Sequence, residues 1–315
     1  CRSGPHWLPW GGRLPAWGRR QEPWQLVAMA ANTANIFDER TALDLANIRK
    51  TLMRMEDSII FSLIERSQFK LNSAVYAADC PQLGDFKLHQ LKAAGSDGCL
   101  GDWFIYQTEC LQSQVGRYDH PTEYSFFGPL PEPYLGGLSA GYTGKRKGTE
   151  GLLAPVPQSA IVNKRLLDIY RREMLPKLCE EGDCGNHGST AVQDVVCLQT
   201  MCTRIYYGLF VAEAKFRDEN EKARRLIKAR DRDGLMAFIT KPEVEERNIR
   251  RVTLKARTFS QNITQGEADQ PQATPSDGTT YKIDPEYIGV VFRDFLMPLT
   301  KDIEVEYLLA RLDYE

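Results

Sequence analysis

Apolar residues recur every three or four positions between Leu45 and about Arg66, the spacing that places side chains on one face of an α-helix. Polar residues fill most of the positions between them. The pattern therefore predicts an amphipathic helix over residues 45–66, with its apolar face against a core. The residues that set the pattern are Leu45, Ile48, Leu52, Met55, Ile59 and Leu63.

Helical periodicity covers most of the remaining chain, and no segment shows the alternation of a half-buried strand. We therefore expect an all-α fold, a multi-helix bundle formed by a single domain. The other predicted helices are residues 100–118, 158–179, 190–217, 219–239, 243–258 and 285–312.

Three segments lack this periodicity. Residues 1–40, which begin with a Trp-, Pro- and Arg-rich stretch, are expected to be a disordered or non-native extension, so that the domain covers residues 41–315. The stretch 121–157 is rich in proline and glycine and is expected to form a long surface loop. Residues 258–281 contain no lysine or arginine and are expected to form a flexible loop.

The composition narrows the classes of function. A chain of 315 residues with 42% hydrophobic residues can build a core without disulfides or a structural metal. Forty basic residues against 42 acidic ones, a net charge of −2, argue against a nucleic-acid binder. The sequence contains no run of 18 apolar residues, so it does not indicate a membrane-spanning helix. The eight cysteines lack the spacing of zinc or disulfide scaffolds, so we expect reduced thiols and no metal site.

Charged residues inside apolar helical segments are the strongest chemical signal, because a buried charge without a partner is costly. Arg49 and Glu56 fall within the apolar arc of the first helix and are expected to form ion pairs or to face a polar pocket. Arg204 and Lys215 share one face of a nearly all-apolar helix, about 16 Å apart along its axis. Two interpretations of this pair remain: the residues bind a small anionic ligand, or they belong to a buried salt-bridge network.

The last two predicted helices supply candidate acids. Thr300 and Glu304 are stacked one turn apart, and the apolar neighbours of Glu304 should raise its pKa and make it a proton donor near neutrality. Thr240 and Glu243 have the spacing of a capping box. Spacing alone does not separate Glu245 from the acidic residues around it.

Three ordered segments carry a resemblance: NIRKTLMRMEDSIIF (47–61), RIYYGLFVAEAKF (204–216) and PLTKDIEVEYLLARL (298–312). They closely resemble the eukaryotic, all-helical chorismate mutases of plants and fungi, over about residues 43–313. The resemblance implies a homodimer that rearranges chorismate, a small dianion, to prephenate without any cofactor, in the synthesis of phenylalanine and tyrosine.

The resemblance also implies roles for single residues. Arg49 and Arg204 would bind the substrate carboxylates, and Lys215 and Glu304 would hydrogen-bond the ether oxygen. The remaining residues of this set are Glu245, at the ring hydroxyl, and Thr300, in the pocket wall.

Members of this family are activated by tryptophan and inhibited by tyrosine or phenylalanine at a site on the dimer interface. Four residues match that site: Arg117, Asn186, Gly188 and Ser189. Two positions depart from the fungal pattern. Lys241 stands where the fungal enzymes have a substrate-contacting Asn, and Gly116 replaces the first of two arginines of the effector site.

Two other functions remain open at this stage. An inactive helical interaction protein derived from the same fold would need Arg204 or Glu304 to be engaged elsewhere. A helical prenyl-type synthase would need a DDxxD-like magnesium cluster, which the sequence lacks. A cytosolic location is expected, with the plastid as the alternative, because residues 1–28 are rich in Arg but contain one Ser and no Thr.

Overall fold

The computed structural model describes residues 43–133, 152–262 and 280–314. Within these ranges the regular structure is helical, and the only β-type pairing is an isolated bridge between Gln261 and Tyr281. The all-α prediction is therefore confirmed. The α-helices in chain order are α1 (Leu45–Ser67), α2 (Gly84–Ala93), α3 (Leu100–Gln114), α4 (Asn163–Ile169), α5 (Leu175–Leu178), α6 (His187–Tyr206), α7 (Gly208–Asp218), α8 (Asn220–Lys228), α9 (Arg232–Ile239), α10 (Pro242–Phe259), α11 (Pro285–Val290) and α12 (Met297–Ala310).

Helix α1 follows the predicted pattern closely. Its N-cap residue, Asp44, accepts hydrogen bonds from the backbone N–H groups of Ala46 and Asn47, at 2.7 and 3.0 Å, which satisfies donors that a helix start leaves free. Ile48 and Leu63 of its apolar face are completely buried, and the helix packs along α6 and α10. The first helix is thus anchored on the two elements that later supply charged residues to the site.

Helices α6 and α7 form the central apolar segment. The sequence predicts one helix over 190–217, whereas the structure begins it at His187 and interrupts it at Tyr207. His187–Asp218 is long and apolar enough to cross a membrane by length and composition, but 72% of its most apolar stretch is buried inside the fold. That burial is what a core helix of a helical bundle shows.

Helix α12 lies against α6, α7, α8 and α9 and continues from α11 through a π-helical segment, Val291–Leu296. The sequence predicts this whole stretch, 285–312, as one helix, and the structure is helical without a gap from Pro285 to Ala310. The inserted π-helical turns change the phase of the side chains ahead of Thr300.

Several predicted boundaries are wrong. The helix predicted over 219–239 is two helices, because Arg230 has a φ of 49° between them. The helix predicted over 158–179 is divided by a 3₁₀ turn and by a π-helical turn at Tyr170–Met174. Helix α2 was not predicted. Residues 1–40, the middle of the loop predicted over 121–157 (residues 134–151) and the central part of 258–281 lie outside the described residues.

A buried ion pair joins the end of α1 to α6. The Nε atom of Arg66 donates to Asp194 at 2.7 Å, and both side chains are almost completely buried. The other guanidinium donors reach backbone carbonyls, the thiol of Cys179 and the hydroxyl of Tyr76. Asp194 also accepts from Tyr76 and Tyr170, so every part of this cluster is satisfied.

Candidate active site

Arg204 is held in the last turn of α6 against the first turns of α12. Its Nη1 atom donates to the hydroxyl of Thr300 at 2.8 Å, and that hydroxyl donates in turn to the carbonyl of Leu296 at 2.6 Å. Arg204 is only 7% exposed, and its buried Nε atom has no hydrogen-bond partner among the described residues. A buried guanidinium with an unsatisfied donor is suited to binding an anion, because the ligand would supply the missing acceptor.

Glu304 lies one turn beyond Thr300 on α12 and is 5% exposed. Burial raises its pKa to about 7, against the opposing influence of the nearby charges of Lys215 and Arg204. The carboxyl makes no hydrogen bond or ion pair with any other residue in the described ranges. The raised pKa agrees with the expectation from its apolar neighbours, while the role of the carboxyl as a hydrogen-bond donor to a ligand stays a prediction.

Lys215 is the third member of a group of neighbouring charged side chains, with Arg204 and Glu304. Its ammonium donates to the backbone carbonyl of Ile239, which ends α9, and burial lowers its pKa. Glu304 and Glu245 oppose that shift, which places both carboxyl groups within electrostatic range of Lys215. Arg204 and Lys215 both lie within electrostatic range of Glu304. Within the described residues, neither of them forms a salt bridge.

Glu245 lies in the first turn of α10 and pairs with Lys301 of α12 at 3.2 Å. The N-cap of α10 is Lys241, and the capping box predicted for Thr240 and Glu243 does not form. The Thr240 hydroxyl is buried without a partner in the described part of the chain. The prediction fails because the helix starts one residue later than the capping box requires, with Pro242 as its first residue.

The two charged residues of α1 have different surroundings, which corrects the expectation that both lie in its apolar arc. Glu56 is buried and accepts from Arg251 at 2.6 Å and from Lys255 at 3.1 Å, both on α10. Arg49 is exposed, and its guanidinium pairs with no residue of the described ranges. The helical wheel does not reveal this, because the neighbouring elements reach this end of α1 and bury Ile48 but leave Arg49 exposed.

The predicted effector residues lie in two places. Arg117 pairs with Glu123 at 3.0 Å and donates to Gln199 of α6 at 2.9 Å. Asn186 and Ser189 lie at the start of α6, ten or more residues before Gln199, which corresponds to about 15 Å along the helix. Within one chain the two groups are therefore apart.

The start of α6 leaves its backbone donors available. Asn186, the N-cap, makes no side-chain capping bond, and there is no acidic residue in the first turn. The space next to the α-carbon of Gly188 is open, with no atom of the described residues within 4 Å of where a Cβ would stand. Free N–H groups at a helix start attract carboxylates.

Several contributors to the site were not predicted from the sequence. Lys301, which holds Glu245, reads as one more surface lysine, and the Ile239 carbonyl that orients Lys215 carries no side-chain signal. Arg251 and Lys255 sit in a helix with many other charges. Only an observed contact distinguishes them from their neighbours.

Comparison with known proteins finds chorismate mutases of plants and fungi among the relatives of this chain. The chain is 39% identical over 288 residues to chorismate mutase 1, chloroplastic, from Petunia hybrida, covering 91% of this chain and 82% of that protein. It is 40% identical over 280 residues to the chorismate mutase of Pichia angusta, covering 87% and 90%. No protein-family model matches the chain.

Solved structures agree with the sequence comparison. Aro7p chorismate mutase from Candida albicans, in complex with L-Trp, superposes with a TM-score of 0.72 at 31% identity, over 89% of this chain and 96% of that one. The structure of AtCM1 with tyrosine bound in its allosteric site superposes with a TM-score of 0.66 at 36% identity, over 88% and 99%. The all-helical fold, the similarity over most of both chains and the shared identity together place this chain in the eukaryotic chorismate mutase family.

Proposed function

We propose that the pocket bounded by α6, α7, α10 and α12 is where this isomerase rearranges chorismate to prephenate. The observation that carries the proposal is the buried group formed by Arg204, Lys215 and Glu304, in which one guanidinium donor lacks a partner among the described residues. The substrate is a dianion, and its carboxylates would satisfy Arg204 and the exposed Arg49. Thr300 would form part of the pocket wall, and Glu245 would reach the ring hydroxyl.

The residue types suit this chemistry. A [3,3] rearrangement breaks a carbon–oxygen bond and forms a carbon–carbon bond within one molecule, so it needs neither a nucleophile nor a general base. The protein accelerates it by holding a compact reactive conformer and by stabilising negative charge on the ether oxygen. Lys215 supplies a cation at that oxygen, and Glu304 supplies a hydrogen bond when its carboxyl is protonated.

The protonation state of Glu304 predicts the pH profile. Because its pKa is raised to about 7, the donor form dominates below neutrality and is lost as the pH rises. We expect kcat/KM to persist or increase below pH 7 and to fall on the alkaline side. In a Glu304→Gln variant the amide donates at every pH, so the alkaline fall should flatten.

The experiment follows the loss of chorismate absorbance across pH 5–9 for the purified wild-type protein, for Glu304→Gln and for a control variant. Glu306→Gln, on the same helix, is the matched control, because Glu306 pairs with Arg232 and its pKa is lowered. The control should keep the wild-type profile. A steep alkaline loss that survives in Glu304→Gln would refute the role of Glu304, and activity that survives Arg204→Ala would refute the assigned pocket.

We further propose that aromatic amino acids regulate the chain at a site made by Arg117, Asn186, Gly188 and Ser189. Two observations support this. No side chain caps the backbone N–H groups at the start of α6, so they can donate to an amino-acid carboxylate, and Gly188 leaves room for a ligand to reach them. The relatives whose structures are similar bind L-Trp or tyrosine.

A side chain at position 188 tests the effector site. Gly188→Val places a branched side chain where a Cβ has no atom of the described residues within 4 Å, so folding and basal activity should be retained. The response to tryptophan and tyrosine should be lost. Assays with effectors up to millimolar concentration measure this. A wild-type protein that ignores both amino acids, or a variant that still responds, would contradict the assignment.

We propose a cytosolic location, with the plastid as the alternative. The family operates in both compartments, since relatives include a chloroplastic form from Petunia hybrida and a cytosolic form from Zea mays. Mass analysis of the N-terminus of the native protein would decide between them. A protein that starts at Met29 would favour the cytosol, and a start at a processed site further along would favour the plastid.

A further inference from the structure

Gly208, the first residue of α7, lies in close contact with α12. A Cβ atom at this position would stand 2.6 Å from Cγ2 of Thr300, 3.0 Å from Oε1 of Glu304 and 3.3 Å from Cγ of Glu304. Distances below 3.0 Å do not occur between a Cβ and a neighbouring carbon. The backbone of α7 therefore lies directly against two residues of the site, with hydrogen as the only side chain that fits.

The contact with Thr300 has no inexpensive way to relax. Cγ2 is one bond from Cβ on a branched side chain, so it moves only if the χ1 angle or the helix moves. Rotation of χ1 would also displace Oγ1, which accepts from Arg204 at 2.8 Å and donates to Leu296 at 2.6 Å. A larger residue at position 208 would thus disturb Thr300, Arg204 and Glu304 together.

We propose that Gly208 is a positioning residue for the rearrangement. Its missing side chain sets the distance between α7 and α12, and this distance holds the Thr300 hydroxyl and the Glu304 carboxyl in register with Arg204 and Lys215. The inference rests on the roles proposed above for Thr300 and Glu304. It adds a residue that touches no substrate and acts through the two side chains packed against it.

The first test is Gly208→Ala. We expect kcat/KM to fall by about 10²-fold, the loss that a displacement of catalytic groups by about 1 Å produces. Most of the loss should appear in kcat, because the Glu304 hydrogen bond strengthens as charge develops on the ether oxygen. Steady-state kinetics on chorismate separate kcat from KM.

Gly289 provides a matched control in the same protein. It lies on α11, buried against α10, and a Cβ there would stand 2.5 Å from Oγ1 of Thr253. Gly289→Ala introduces the same overpacking between two helices at a place that touches none of the site residues. It should lower the melting temperature about as much as Gly208→Ala while leaving kcat/KM unchanged.

A second-site substitution gives the sharper test. Thr300→Ser removes the Cγ2 methyl group, the atom closest to the new Cβ, and keeps the hydroxyl that bonds Arg204. Thr300→Ser alone sets the reference activity. The double variant Gly208→Ala/Thr300→Ser should recover most of the loss relative to that reference, whereas a general loss of stability would not be repaired by removing a methyl group.

Two outcomes would overturn the inference: wild-type kcat in Gly208→Ala, or a double variant no more active than Gly208→Ala itself. Failure of the proposed function is distinguishable from either. If Arg204→Ala and Glu304→Gln behave like wild type, the pocket assignment is wrong. If those variants behave as expected and Gly208→Ala is fully active, only the positioning role of Gly208 is wrong.

Discussion

The raised pKa of Glu304 has a consequence for stability besides the pH profile proposed above. A carboxyl with a pKa of about 7 in the folded protein and an ordinary value of 4.5 when unfolded binds its proton more tightly in the folded state. Its contribution to stability is therefore fully present below about pH 4.5 and is lost as the pH rises through about 7. The change in pKa corresponds to about 3 kcal/mol at most.

Glu304→Gln removes this titration. We expect the free energy of unfolding of the wild-type protein to decrease from pH 5 to pH 8 relative to that of Glu304→Gln, by up to about 3 kcal/mol. Urea unfolding at both pH values measures the difference. Glu306→Gln should show no such gain at pH 8, because the pKa of Glu306 is lowered and its stabilisation is lost only as the pH falls. Parallel pH dependence in wild type and Glu304→Gln would contradict the expectation.

At the scale of single residues, the sequence revealed charged side chains within apolar helical segments, where burial costs free energy. Arg204, Lys215 and Glu304 stood out because apolar residues surround them in the sequence, and the structure brings them together. The exposure of Arg49 was not predicted, since a helical wheel assigns a face of the helix but not which positions on that face the neighbouring elements cover. Gly208 gave no signal, because the need for a glycine arises from a helix about 90 residues further along the chain.

At the scale of elements, the Arg66–Asp194 pair links the end of α1 to α6 through a fully satisfied buried cluster. Asp194→Asn would leave the Arg66 guanidinium as an uncompensated buried charge. We expect a loss of about 3–5 kcal/mol in the free energy of unfolding, measured by urea denaturation. Asp302→Asn is the control: its pair with Arg165 is partly exposed, so the loss should stay below about 1 kcal/mol. Equal losses in the two variants would contradict this reasoning.

Helices were predictable as elements, but their interruptions were not. Periodicity indicated the segments 45–66, 190–217 and 285–312, because each buries a long apolar face. The π-helical turns at Val291–Leu296 lie just before Pro298, which has no backbone N–H and crowds the carbonyl four residues earlier, and a single glycine, Gly208, follows the break at Tyr207. These residues mark sites where a helix can change phase, but hydrophobic periodicity alone does not detect the change.

At the scale of the whole molecule, the two groups of proposed effector residues are separated by about 15 Å within one chain. A second copy of the chain could bring Arg117 of one protomer to the start of α6 in the other. An exposed apolar strip lies between the two groups, consistent with such a partner surface. Its members are Leu111 and Val115 on α3 and Val192 and Val196 on α6.

Val192→Asp should test the dimer expected from the family. Val192 is 44% exposed, so a charge there should leave the fold intact while opposing burial against another chain. We expect a shift from dimer to monomer in analytical ultracentrifugation, loss of the effector response and retention of basal activity. Phe86→Asp, which changes an 82% exposed residue on α2, should remain dimeric and regulated. A regulated dimer of Val192→Asp would rule out this surface.

The bond between Arg204 and Thr300 joins residues 96 positions apart, and Glu304 lies still closer to the end of the chain. During synthesis, the two cationic residues of α6 and α7 leave the ribosome long before their carboxylic acid partner exists. The proposed active site is therefore complete only once α12 packs against helices made much earlier, and contacts of such high sequence separation slow folding. We expect recovery of mutase activity during refolding to follow the docking of α12, and truncation before Thr300 to yield a chain that is silent towards chorismate.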